Sequence, residues 1–303
     1  MVHTNELVLV NNQGWDERIL VCRNGDLVDT FVIVTRRYVV LVDTLINPAT
    51  ARKMVAFAQP HLRAGRYLIV VNTHADHDHA WGNQLFAGPE APFPAPILGS
   101  RRCAERLAGA DSAAALLERQ HNEPAIFGEV VLTPPTLRFD DTMSIDGGDL
   151  TIEFFPAPGH TADQIALFLP EINLLLAADA AELPFPFADS VAELPVMRAT
   201  LAKLAARKPA SALYCHAPVT LGPQLLQDNI DYFDRVEQQC RAAIRRGLPE
   251  AWEEQSELAA LVDLPFAEAV PTRPEWQGMP KAYRTTGHTR QIKMMLSWLL
   301  AQA

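Results

Sequence analysis

The sequence predicts an α/β fold, and three observations carry that expectation. Near the N-terminus, β-branched runs flank a helical stretch, which reads as strand, helix, strand. A strand–turn–strand–Asp layout occurs twice, in FVIVTRRYVVLVD and in QIALFLPEINLLLAAD, so two related β-layers are expected. From Gly222 onward the texture turns helical, which divides the chain into an α/β domain at 1–221 and a helical extension at 222–303.

Taken in order, Arg18 to Asn24, Leu27 to Thr35 and Tyr38 to Thr44 are β-branched and bounded by Asn-Gly and Arg-Arg turns. Asn47-Pro48 opens a helix whose apolar residues recur at helical spacing until Pro60. Tyr67 to Asn72 is the next strand. Pro89 to Pro96 is a connection to a short strand at Ile97 to Gly99, and Arg101 to Gln120 reads as one helix rich in Ala, Leu and Glu. The chain then returns to β-structure, with Asp146-Gly147-Gly148-Asp149 as a hairpin turn. The tail should hold helices at 223–247, 249–262 and 288–303.

Composition narrows the function. With 303 residues, 49% hydrophobic and 20% charged, the chain can bury a sizeable core. A net charge of −10 without a concentrated basic face argues against nucleic acid. No apolar run approaches the roughly 20 residues that span a bilayer. The opening residues lack the pattern of a secretory signal, and Cys22, Cys103, Cys215 and Cys240 show no paired spacing. A cytoplasmic protein with reduced thiols, no membrane partner and a small-molecule substrate is expected; the oligomeric state is left open. Neither GxGxxG, a P-loop nor GxSxG occurs.

The chemistry concentrates in VVNTHADHDHAWGN, where three histidines and two aspartates follow an apolar strand between His74 and His79. Imidazole nitrogen and carboxylate oxygen at such spacing suit zinc, iron or manganese. Six neighbouring residues cannot furnish all the ligands of a dinuclear centre. Three more candidates stand at later strand ends: His160 in PGHT, Asp179 in AAD and His216 in CHAP.

On these residues the chain resembles the metallo-β-lactamase superfamily, whose signature is His-x-His-x-Asp-His, then a separate His, an Asp and a final His. The matching residues are His74, Asp78, His79, His160, Asp179 and His216. The resemblance implies an αββα four-layer sandwich with the site at one edge, and makes Asp43 a supporting residue. The family's second histidine falls on Asp76. Alternation along an extended chain would place Asp76 on the face of His74 and Asp78 and turn His77 away, with His77 the alternative ligand.

The resemblance further implies two divalent metal ions, zinc first, with iron or manganese as alternatives. His74, Asp76 and His160 would hold one, Asp78, His79 and His216 the other, and Asp179 would bridge. A metal-bridging hydroxide would attack a thioester, lactone, ester or amide carbonyl, with Asp78 catalytic in moving its proton. Competing readings are an iron-dependent oxidoreductase or dioxygenase of the same superfamily, and a degenerate binding protein. Trp81, Tyr283 and His288 are candidate substrate contacts, alongside Arg284 and an apolar Pro184-Phe185-Pro186-Phe187 loop; His288 and its neighbours equally read as a helix start and core stripe.

Overall fold

The computed structural model describes residues 3–62, 65–88, 90–255 and 257–302. Pro89, Ser256 and the extreme terminal residues, which fall within expected segments, lie outside that set. The chain forms two compact units. One comprises the residues up to Ala157 with Ala162–Ala178 and Pro209–Thr220; the other comprises Pro158–Thr161, Asp179–Lys208 and the chain from Leu221.

The first unit holds two sheets. Strands β1 (Val8–Leu9), β2 (Ile19–Asn24), β3 (Val28–Val34), β4 (Tyr38–Val42), β5 (Tyr67–Val71), β6 (Ile97–Ser100) and β7 (Leu137–Phe139) lie side by side in chain order. They run antiparallel as far as β4 and parallel from there to β7. All seven residues of β3 are buried, the pattern of a strand covered on both faces. The second sheet contains β8 (Met143–Asp146), β9 (Thr151–Pro156), β10 (Ile165–Leu169), β11 (Leu174–Leu176) and β12 (Ser211–Leu213), ordered β12-β11-β10-β9-β8. Both sheets contribute to one apolar core, from Val32, Leu41 and Val70 to Ile152, Leu167 and Leu176.

Local chemistry accounts for the elements. Asn47 caps the helix Pro48–Ala58 by accepting the Thr50 N–H at 2.9 Å, while the Asn47 N–H reaches Thr50 Oγ1 at 3.3 Å. Its buried stripe of Ala51, Met54, Val55 and Ala58 has helical spacing, and Met54 Sδ accepts a hydrogen bond from Thr30 of β3. The expected helix at Arg101 to Gln120 is broken into Arg101–Leu107 and Ala110–Asn122. Gly109, a poor helix former, is extended there (φ −78°, ψ 161°) and starts the second segment.

Strand direction decides where the polar residues go. Val42 of β4 pairs with Val71 of β5 in parallel register, so both strands end together and deliver Asp43 beside Thr73 and His74. In the second sheet Leu176 of β11 pairs in parallel with Leu213 of β12, and the chain continues from these to Asp179 and His216 respectively.

The second unit is helical. Gln224–Arg246 buries Leu225, Asn229, Tyr232, Phe233, Val236, Cys240 and Ala243 along one face, and Tyr232 stacks on Phe185 with ring centroids 4.4 Å apart. His288–Leu300 closes this unit as expected. Among the described residues of 249–262, the short turns Trp252–Glu254 and Leu258–Leu261 appear in place of one continuous helix, anchored by buried Trp252 and Leu258. An unforeseen helix spans Leu194–Ala206. Close packing against it requires glycine at 159, where φ is +131° and a Cβ would stand 2.3 Å from Met197 Cα. No helix among the described residues is long and apolar enough to cross a membrane.

Candidate metal centre

In the first unit the segment after β5 bends at Thr73 and Ala75, is extended at Asp76 (φ −62°, ψ 155°) and then turns helical at His77–Ala80. The alternation expected from Asp76 onward therefore does not apply, because side chains in a helical turn advance by about 100° per residue rather than flipping. His77 packs its ring edge-on against Trp81, and its Nε2 lies 3.3 Å from His3 Nε2. Burial pushes the His77 imidazole down to about 4. Trp81, expected as a substrate contact, is instead 3% exposed and meets Phe127 edge-on at 5.8 Å; the same helical turn carries its indole into the core.

Asp43 organises what remains. Fully buried and at φ 67°, its carboxylate accepts the Thr73 N–H on Oδ1 and the Thr73 hydroxyl on Oδ2, each at 2.7 Å. His79 Nδ1 lies 2.8 Å from the same Oδ2 and must donate to it. Because the single Thr73 hydroxyl proton is committed to Asp43, Thr73 Oγ1 acts as acceptor toward His74 Nδ1 at 3.0 Å. His216 Nδ1 donates to the Leu27 carbonyl at 2.7 Å. Each of the three imidazoles is thereby held with its proton on Nδ1 and its lone pair on Nε2, the arrangement in which histidine ligates metals.

Those Nε2 atoms have company. Asp78 Oδ2 stands 3.4 Å from His216 Nε2 and 3.8 Å from His79 Nε2, and the three residues form a cluster able to hold an ion. Donors about 2.0–2.1 Å from a tetrahedral ion lie roughly 3.4 Å from each other, so the donor set fits a divalent metal. Asp76 Oδ2 is 3.7 Å from His74 Nε2, and the His74 and His79 rings sit 4.0 Å apart. Hence the first unit brings His74, Asp76, Asp78, His79 and His216 together.

The second unit brings His160 and Asp179 together. His160 follows the tight turn at Gly159, and Thr200 pins that turn by donating to the Pro158 carbonyl at 2.6 Å. His160 Nδ1 reaches the Phe187 carbonyl at 3.1 Å, the same Nδ1 anchoring as in the first unit, while its Nε2 is 3.6 Å from Asp179 Oδ2. Glu182 Oε1 stands 3.6 Å from His160 Nδ1, a carboxylate that no motif announced.

Among the residues expected to meet substrate, His288 is corrected as well. It is 1% exposed, its Nδ1 is taken by the Tyr232 hydroxyl and its Nε2 by the Leu264 carbonyl, both at 2.8 Å. No ring atom is left to offer a ligand. Phe185 is likewise core. Tyr283 is half-buried in the turn Tyr283–Gly287, with its phenol pKa raised by burial and then by Glu182. Sequence reasoning also missed Arg106 and Asp163. Arg106 approaches Asp76, and Asp163 accepts the Ala75 N–H at 2.8 Å.

Comparison with known proteins bears on the family and the fold. The family described as Metallo-beta-lactamase superfamily matches residues 23–271. Among solved structures, a metallo-beta-lactamase from Pontibacter korlensis aligns with a TM-score of 0.55 at 17% identity, over 74% of this chain and 97% of its own. The DIM-1 metallo-beta-lactamase aligns with a TM-score of 0.51 at 14% identity, over 74% of this chain and 95% of its own. Both likenesses establish a shared fold. A search of curated proteins returns no match.

Proposed function

Because the chain belongs to the metallo-beta-lactamase superfamily, we propose that it is a metal-dependent hydrolase acting on a carbonyl group of a small substrate. Membership supports metal-dependent hydrolysis in general terms; the substrate class, thioester, lactone, ester or amide, is our extension. The observation that carries the reading is the donor face of Asp78, His79 and His216, with the far nitrogen of each imidazole already committed. In this reading Asp78, His79 and His216 would hold one ion, His74 and Asp76 would help to hold a second, and His160 and Asp179 would complete the ligand set. The assignment of His160 and Asp179 to this set follows the resemblance.

Two bound divalent ions, zinc first, would supply Lewis acidity toward a carbonyl oxygen and lower the pKa of a water. The chain's own residues do the rest. Asp43 and Thr73 keep His79 and His74 in the ligating tautomer, and the Leu27 carbonyl does so for His216. Asp78 is the group suited to take the proton of the attacking water on a carboxylate oxygen and return it to the leaving group. A second reading, iron-dependent redox chemistry, draws on Asp76, since a carboxylate in place of imidazole hardens the ligand set toward iron or manganese.

Metal content by mass spectrometry, paired with hydrolysis of a panel of thioesters, lactones, esters and amides, tests the proposal. Near two ions per chain and turnover of a panel member are expected, with turnover lost in Asp78→Ala at unchanged circular dichroism. Zinc in the purified protein favours hydrolysis and iron the redox reading. No stoichiometric metal after loading with zinc, manganese and iron, or full activity in Asp78→Ala, would overturn it.

A further inference from the structure

Arg106 belongs to no motif, yet it is built into the metal-site loop. The helix Arg101–Leu107 follows β6, which runs parallel to β5 with Leu98 opposite Val71, so it begins at the sheet edge from which the 72–76 segment departs. Ser100 caps that helix by accepting the Cys103 N–H at 3.0 Å and donates to the Asp163 carbonyl at 2.8 Å. Asp163, itself 3% exposed, accepts the Ala75 N–H on Oδ2 and the Arg106 guanidinium on Oδ1 at 3.2 Å. The other arm of that guanidinium meets Asp76 Oδ1 at 2.5 Å. Backbone at 75, Asp163, Arg106 and Asp76 thus close a ring.

The ring divides the two oxygens of Asp76. Oδ1 is engaged by Arg106, and Oδ2 is the oxygen that faces His74 Nε2, at 3.7 Å. An ionised carboxylate at 76 also brings one negative charge that an imidazole would not, and Arg106, which it shares with Asp163, offsets part of it. We propose that Arg106 is a positioning residue of the metal centre, presenting Asp76 as a single-oxygen ligand through Oδ2 while its one positive charge is shared between Asp76 and Asp163. The inference rests on the metal-dependent reading above and goes beyond its ligand set. The Arg106 side chain is 41% exposed, but its removal also takes the cation beside buried Asp163, so urea unfolding of each variant accompanies the metal titrations.

Calorimetric titration of metal-free protein with zinc and with manganese tests it, using wild type, Arg106→Ala, Arg106→Lys, Asp76→Ala and the Arg106→Ala/Asp76→Ala double variant. In Arg106→Ala one binding event should weaken by about 10–100-fold, as supporting partners of metal ligands generally do, while the other keeps its affinity. Lysine should restore part of the loss by charge alone. In the Asp76→Ala background, Arg106→Ala should cost clearly less affinity than in wild type, the remainder travelling through Asp163 and the Ala75 N–H, and an undiminished cost would overturn the inference. Unchanged affinity in Arg106→Ala would reduce the contact to a surface ion pair, and tighter binding would mean that Arg106 competes with the ion for Asp76; either overturns the inference. Wild-type protein that takes up no ion overturns the metal reading itself, and this inference with it.

Discussion

Replacing Asp43 by Asn isolates the tautomer argument on which the donor face depends. Asn is close in size and tolerates the positive φ of 67° at this position, so backbone strain is unchanged. The carboxylate accepts three hydrogen bonds, from the Thr73 N–H, the Thr73 hydroxyl and His79 Nδ1, at 2.7, 2.7 and 2.8 Å. An amide cannot accept all three. With its NH2 in place of Oδ1 it would oppose the Thr73 N–H, donor against donor. With the NH2 in place of Oδ2 it would donate to His79 Nδ1 and drive the proton to Nε2, the atom required for metal. Losing one charge-assisted bond and leaving a buried donor unmet should cost about 2–4 kcal/mol. Urea unfolding of the metal-free protein measures that loss, and zinc competition with a chromophoric chelator should give an affinity about 10–100-fold lower. Wild-type zinc affinity in Asp43→Asn, at whatever stability, would refute the claim that this carboxylate sets the imidazole.

Two further outcomes follow from buried histidines. The folded-state pKa of His77 is pushed down to about 4 from 6.5, first by burial, with Asp78 and Asp76 opposing the shift and Arg119 and His3 reinforcing it. Between these values the unfolded chain binds a proton that the folded chain refuses. Its contribution is therefore complete above the unfolded value of 6.5 and declines as pH falls toward about 4, by about 3 kcal/mol in all. Urea midpoints of metal-free wild type should drop across that window more steeply than those of His77→Phe; parallel slopes would remove His77 as the cause. His288→Leu should cost about 2–4 kcal/mol by stranding the Tyr232 hydroxyl and the Leu264 carbonyl, with KM unaltered for the protein that remains folded. A changed KM at unchanged stability would return His288 to the substrate contacts.

Much of this architecture is legible in the chain because its strands are buried and β-branched. β3, β4 and β5 stand where continuous runs of Val, Ile and Leu place them, and Asn47-Pro48 announces a helix through capping chemistry that is local by nature. Candidate ligands can be read because each follows an apolar strand. Directions past the strand ends are less legible. Alternation along an extended chain turns His77 away from Asp76 and says nothing of Trp81, whereas a helical turn sends both toward Phe127. The Leu194–Ala206 helix hides behind Pro195, which reads as a breaker yet sits in the first turn, where a missing N–H costs nothing. Arg106 meets Asp76 through the parallel register of β5 and β6, and no spacing within one segment encodes a register between two.

The anchors of the imidazoles differ in what kind of chemical group they are. His216 leans on the Leu27 carbonyl and His160 on the Phe187 carbonyl, groups that every amino acid possesses. Substitution at 27 or 187 can move such an anchor but never delete it, so these orientations are inherited from the path of the main chain. His79 leans on a side chain, Asp43, and His74 on Thr73, which Asp43 holds in turn. One codon thus stands behind two histidines, and mutational fragility gathers at position 43.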